Sequence, residues 1–152
     1  MSQEARIYNP DEMTIVVGPV LINSGFAEDD FMSVEGESDT VADVSGADGE
    51  VAISRSNDHR ATVTITLLQT ALANQGLSVL SNLTRTSPNM VGAVVPFLAR
   101  DQNGTSLYTA KDSWVMKPPD AAFGRTAKER AWPIRCANLL RNDGSNNLIA
   151  GA

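Results

Sequence analysis

Residues 61–68 alternate with period two. Ala61, Val63, Ile65 and Leu67 are apolar, with Thr62, Thr64 and Thr66 between them. That pattern predicts a strand with one face on a core and one uncharged, β-compatible face turned outward. Left bare at an edge, such a strand would invite aggregation, because no charge guards its free N–H and C=O groups. Apolar, β-branched runs predict further strands over 13–22, broken once or not at all and ended by Asn23-Ser24-Gly25, and over 31–35. Residues 40–44 and 51–55 read as two arms of a hairpin joined by Ser45-Gly46-Ala47-Asp48-Gly49. Strands resume over 90–99, where Pro96 marks an edge or a bulge. They continue over 105–110 after the turn Asp101-Gln102-Asn103-Gly104, then over 113–116, and finally over 130–140.

The period changes once. Leu72/Ala73, Leu77, Val79/Leu80 and Leu83 form one apolar stripe, predicting a helix over 70–83 with Thr70 as N-cap. Gly76 weakens that helix by about 1 kcal/mol relative to alanine. Many strands and one helix define a mainly β fold: a β-sandwich or barrel with one flanking α-helix and an extended β-hairpin loop. No repeat or linker divides the chain, so residues 1–152 read as one domain, with a C-terminal tail, 141–152, expected to be mobile.

Charge changes the picture. The net charge is -6, but residues 1–60 carry 13 acidic and 3 basic side chains, whereas residues 61–152 carry 5 and 9. An acidic chain does not fit a protein that grips nucleic acid phosphates. The split points to two opposed faces that orient copies of the chain toward one another. Between Ala61 and Ala99 the one charged residue is Arg85. At typical usage about a quarter of those positions would be charged, so this stretch is either hidden from water or pressed against a neighbour. Oligomerisation through weakly charged interfaces follows.

Candidate chemistry is sparse. His59 is the only histidine, and its neighbour Asp58 would point to the opposite face of a strand, which makes it a poor orienting partner. There is no Gly-x-Ser-x-Gly elbow and no phosphate loop. Cys136 lies in an apolar strand and reads as a buried thiol. One cysteine and one histidine cannot make a zinc site. The acidic residues Glu28, Asp29, Asp30, Glu35, Glu37, Asp39 and Asp43 lack the spacing of a calcium loop and read as solvated. Neither metal nor cofactor is expected, and the chain is not read as an enzyme. Trp114 and Trp132 lie in strand-like stretches and read as packing residues. No apolar run approaches the ~20 residues of a membrane span, and Met1–Arg6 lacks the pattern of a signal peptide. Assembly in a cytoplasm without membrane insertion is the expectation.

Several segments, in order, carry a resemblance. They are Tyr8-Asn9-Pro10, the run from Val20 to Ala27 followed by acidic residues and Phe31-Met32-Ser33-Val34, then Gly46 to Val51 and Ser54 to Asp58. Ala61 to Thr70, Ala73-Asn74, Asp112 to Asp120 and Glu129-Arg130-Ala131-Trp132 complete the set. Together they resemble the tail tube proteins of contractile-tailed bacteriophages over nearly the whole chain. The resemblance implies a structural virion protein. Such proteins form hexameric rings, stacked head to tail into a hollow tube through which the genome passes into the host. Tail sheath, tape-measure and baseplate proteins would be its partners, and DNA would cross the channel without specific binding. In that setting residues 35–58 are the candidate loop reaching an adjacent ring, with Glu37, Asp39, Asp43, Asp48, Glu50 and Arg55 as its contact residues. Thr62, Thr64 and Thr66 mark the candidate ring-forming strand, and the acidic N-terminal half is where channel-lining residues are expected. Two alternatives stay open: a secretion-system tube protein of similar fold, and a soluble β-sandwich module using Trp114 or Trp132 as a stacking platform.

Overall fold

The structure, a computed structural model, describes residues 5–146. A 3-10 turn, Pro10–Glu12, leads into β1 (Met13–Val17) and β2 (Val20–Ile22). These are followed by β3 (Met32–Gly36), the hairpin arms β4 (Val41–Ser45) and β5 (Val51–Arg55), β6 (Ala61–Leu68) and the helix α1 (Ala73–Thr86). After a second 3-10 turn come β7 (Val95–Asp101), β8 (Leu107–Val115), β9 (Glu129–Cys136) and β10 (Leu140–Asn142). All strand pairings are antiparallel. The main sheet runs β2-β1-β7-β8-β9-β6-β3, with β10 also on β8, while β4 and β5 form a separate two-stranded sheet. The main sheet does not close into a barrel: β2 and β3 remain at the ends of its strand order, and β10 is a further edge beside β8.

Alternation places the core. Met13, Ile15 and Val17, Val63, Ile65 and Leu67, Val95, Phe97 and Ala99, and Trp132, Ile134 and Cys136 are all buried. The inner faces of the two halves of the sheet share one hydrophobic cluster, covered by Leu77 and Leu80 of α1. The glycine that weakens the helix has a packing role. A Cβ on Gly76 would stand 2.8 Å from Val20 Cγ2, so only glycine lets α1 lie this close to β2. Gly18, at φ +57°, makes the two-residue turn between Val17 and Val20.

Four predicted boundaries are corrected. The helix spans 73–86 rather than 70–83. Its N-cap is Leu72, which has helical backbone angles and no capping side chain, so Thr70 does not cap it. Met90 ends the second 3-10 turn and residues 91–94 are turn or bend, not strand, because Asn89, Met90 and Gly92 all take positive φ. The predicted strands 105–110 and 113–116 are one strand, β8. Its register on β7 jumps from Phe97–Ala110 to Val95–Ser113, so Lys111 and Asp112 both face solvent and break the alternation. The bulge opposite Pro96 is the one that proline signalled. The last strand ends at Cys136 and resumes as β10, which returns along the first half of β8. Arg141 and Asn142 of the predicted tail thus belong to the sheet, and Asn146 bridges to Gly104. Residues 147–152 lie outside the described part.

Candidate functional site

Three exposed surfaces stand out. The first is the β4–β5 hairpin, in which every residue is exposed. Its register pairs Asp43 with Ile53 and Ser45 with Val51, so Val41, Asp43, Val51, Ile53 and Arg55 share one face. Val44 sits on the other face with Ala42, Ala52 and Ser54. Ile53 is 73% exposed and Val44 67%. The tip is held by Asp48, whose Oδ1 accepts from Glu50 N at 3.1 Å, and by a bond from Gly46 N to Glu50 O at 2.6 Å. Asp43, Asp48, Glu50 and Arg55 lie on this hairpin. Asp39 precedes it, and Glu37 turns back toward the main sheet. The Glu37 carboxylate accepts from Thr62 Oγ1 at 2.5 Å and lies 3.5 Å from Arg135 Nη2. At the hairpin's base, Asp58 receives two bonds from the Arg60 guanidinium, at 2.9 and 3.0 Å. These hold its carboxyl well below the usual range.

The second surface is the outer face of β6 and its neighbours. Thr62, Thr64 and Thr66 are half-buried there, level with Arg135, Pro133 and Ala131 of β9 and, for the first two, with Glu35 and Ser33 of β3. β6 itself has no free edge: β9 occupies one side and β3 the other. The free edge beside it belongs to β3. A copy meeting these threonines would meet a face.

A third surface escaped the sequence analysis. Cross-strand register aligns Leu21, Val16, Leu98, Thr109 and Leu140 in one row across β2, β1, β7, β8 and β10. This row lies on the outer face, and Leu140 is 68% exposed. No single segment betrays it, since each strand contributes one residue. With Leu72, Val79 and Val91, also exposed, Leu98 shows that the nearly uncharged stretch 61–99 is only partly hidden within the chain.

The residues weighed for chemistry are scattered. His59 is exposed in the loop before β6. Cys136 is fully buried, and burial pushes its thiol up to about 11. Trp132 is buried and donates from Nε1 to Asn74 Oδ1 at 2.9 Å, so it cannot serve as a stacking platform. Trp114 is half-buried on the outer face. A groove of about 890 Å³ runs between the N-terminal segment and the loop 23–31; Tyr8, Phe26, Phe31, Asp11 and Asp29 line it, and neither His59 nor Cys136 reaches it. Among the described residues no three His, Cys, Asp or Glu side chains gather as a metal site. No described helix is long and apolar enough to cross a membrane.

An open antiparallel sheet with a packed helix, a projecting hairpin and broad apolar outer faces defines a class of protein built around surfaces. Comparisons give that class a fold relationship. A chain of the virion of a native gene transfer agent particle superposes with a TM-score of 0.58 at 11% identity, covering 90% of this chain and 99% of that one. A chain of the anti-feeding prophage cap, a tube-terminating cap, gives 0.52 at 7% identity, covering 93% and 94%. In sequence the chain is similar to "Structural protein ORF10" of Pseudomonas phage KPP10, 27% identical over 157 residues, covering all of this chain and 90% of that protein. Residues 16–142 match the family model of the bacteriophage PhiTE tail tube protein. The chain belongs to that phage tail tube family and is a structural protein of the virion tail.

Proposed function

We propose that this protein forms hexameric rings that stack head to tail into the hollow tube of a contractile tail, through which the genome passes into the host. The observation that carries the reading is the family match over residues 16–142. The edge strands of the main sheet, β2, β3 and β10, support it, because strand edges left unpaired on a subunit are the natural places for a ring to close. Assembly takes place in the host cytoplasm, with sheath, tape-measure and baseplate proteins as partners. The β4–β5 hairpin with Glu37, Asp39, Asp43, Asp48, Glu50 and Arg55 serves contacts between rings. The face bearing Thr62, Thr64 and Thr66 serves contacts within one. An acidic channel would repel DNA phosphates and let the genome slide without specific binding.

Size-exclusion chromatography with negative-stain microscopy tests the reading. Expected are tubes or rings with six-fold averages. A strict monomer over a wide concentration range overturns it. Tubes unchanged after removal of residues 40–50 would sink the hairpin's role between rings. The fold shared with the anti-feeding prophage cap favours one second reading, a tube of a secretion-type particle. Proteomics of purified virions separates the two.

A further inference from the structure

Among the described residues Arg130 is the buried basic side chain, at 8% exposure. It lies near the start of β9, on the inner side of the sheet, and pairs in register with Leu67 near the end of β6. Nη1 donates to Glu129 O at 3.1 Å and Nη2 to Ala122 O at 3.2 Å, while the Phe123 ring sits 5.1 Å from the guanidinium carbon. A guanidinium has five N–H donors. Among the described residues the others have no acceptor, and no carboxylate stands within ion-pair distance. None of these N–H groups is sealed from water, so a carboxylate arriving from outside can reach them. The guanidinium opens on a cleft of about 330 Å³ walled by Gln69, Asn74, Pro118, Pro119, Phe123 and Trp132. Phe123, 82% exposed, is an apolar rim with nothing packed outside it.

The hairpin has the converse deficiency. A lone two-stranded hairpin is marginal in water, and this one exposes Val44, Val51 and Ile53. Among the described residues the carboxylates of Asp43 and Glu50 accept no hydrogen bond. Residues 41–55 carry three acids and one arginine, whereas residues 117–130 carry four basic side chains and two acids. The two features also sit at opposite ends of one strand. The hairpin leaves the sheet where Gly36 pairs with Ala61, and Arg130 pairs with Leu67, six residues along β6. At about 3.3 Å per residue they are roughly 20 Å apart. A chain with a plug at one end and a complementary socket at the other associates head to tail.

We infer that the Arg130 cleft is the socket for the β4–β5 hairpin of a second copy, with a hairpin carboxylate, Glu50 foremost, completing the Arg130 guanidinium. The inference rests on the tube reading and names the receiving surface for its contact between rings. The hairpin's apolar side chains cover Phe123 and the cleft's proline wall, and the charge pair fixes the register.

Disulfide trapping tests it. Copies carrying Glu50→Cys are mixed with copies carrying Ala121→Cys, an exposed cleft position, then assembled and oxidised. Cys136 is buried and stays out of the reaction. Expected is a dimer band on a non-reducing gel from the mixture and none from either variant alone. In parallel, Arg130→Gln, checked for its fold by circular dichroism, and Glu50→Lys, on an exposed residue, each raise the critical concentration for assembly about tenfold or more, as loss of one charged hydrogen bond predicts. Tubes that form without the Glu50–Ala121 cross-link, or a Glu50→Cys copy that couples instead to Leu140→Cys on the outer face, overturn this inference alone. A chain monomeric at every concentration overturns it together with the tube reading.

Discussion

Asn74 joins the helix to the sheet through Trp132: its Oδ1 accepts the indole N–H at 2.9 Å, while its Nδ2 donates to Leu68 O at 2.8 Å. One amide side chain thus ties the first turn of α1 to both β9 and the end of β6. Asn74→Ala leaves the buried indole N–H without an acceptor and should cost about 1–3 kcal/mol. The denaturation midpoint in urea should fall with an unchanged slope. Trp132→Phe removes the indole donor, so in that background Asn74→Ala should lose only its bond to Leu68 O and cost less than in the parent chain.

Gly76→Ala should destabilise the protein although alanine favours the helix by about 1 kcal/mol. The new methyl meets Val20 at 2.8 Å, and both sit in a packed layer. Val20→Ala costs stability by leaving a cavity, but together with Gly76→Ala it should cost less than the sum of the two. Thermal melts of the four proteins in a double-mutant cycle give the coupling.

Leu98→Lys places a charge in the middle of the outer apolar row. The residue is 37% exposed, so the fold should change by about 0.5 kcal/mol or less. If the row packs against a neighbouring copy, assembly is where the change registers. Light scattering of the variant should show a delayed or absent rise under conditions where the parent chain polymerises.

Asp143 holds β10 at the sheet. Its carboxylate accepts from Arg141 Nε at 2.7 Å and from Tyr108 Oη at 2.5 Å, and these bonds, led by Arg141, lower its pKa. A carboxyl whose folded pKa lies below its unfolded value of about 3.9 stabilises fully above that pH. The contribution is lost as pH falls through the lowered folded value. Solvent screening keeps it small. Amide protection at 140–146, relative to the intrinsic exchange rate at each pH, should fall selectively below about pH 4, and Asp143→Asn should remove that pH dependence.

Cys136 should resist thiol reagents at pH 8 in the native protein, since it is buried and its thiol is pushed up to about 11. Labelling should follow global unfolding, so its rate in denaturant reports stability. Rapid labelling of the native chain would mean that the end of β9 opens locally.

What could be read from the sequence follows from where the physics is local. The alternation of Ala61–Leu68 and the glycine-bearing turn at 45–49 are properties of adjacent residues, and both elements stand where they were predicted. The helix start was displaced because Asn74 bonds to Leu68 and Trp132, a tertiary arrangement that no capping rule for Thr70 contains. The break at 111–112 was read as a gap between strands because a bulge and a loop both interrupt alternation. Arg130 looked like one basic residue among nine; only the fold shows it buried and without a carboxylate. The hairpin side of the candidate site was legible in its charges, whereas its complement is assembled from residues 69–132 and has no sequence signature.

The order of the main sheet has a consequence for the timing of the chain's life. β1 and β2 can join the sheet only through β7, and β3 and β6 only through β9. β1 with β2, β4 with β5 and β3 with β6 can pair early, but the two edge pairs stay apart until β9, almost the last strand, has left the ribosome. Pairings so far apart in sequence form slowly. The delay doubles as a safeguard: neither edge pair is fixed in a finished sheet until the subunit is nearly whole, so an unfinished chain offers no template on which a filament could start.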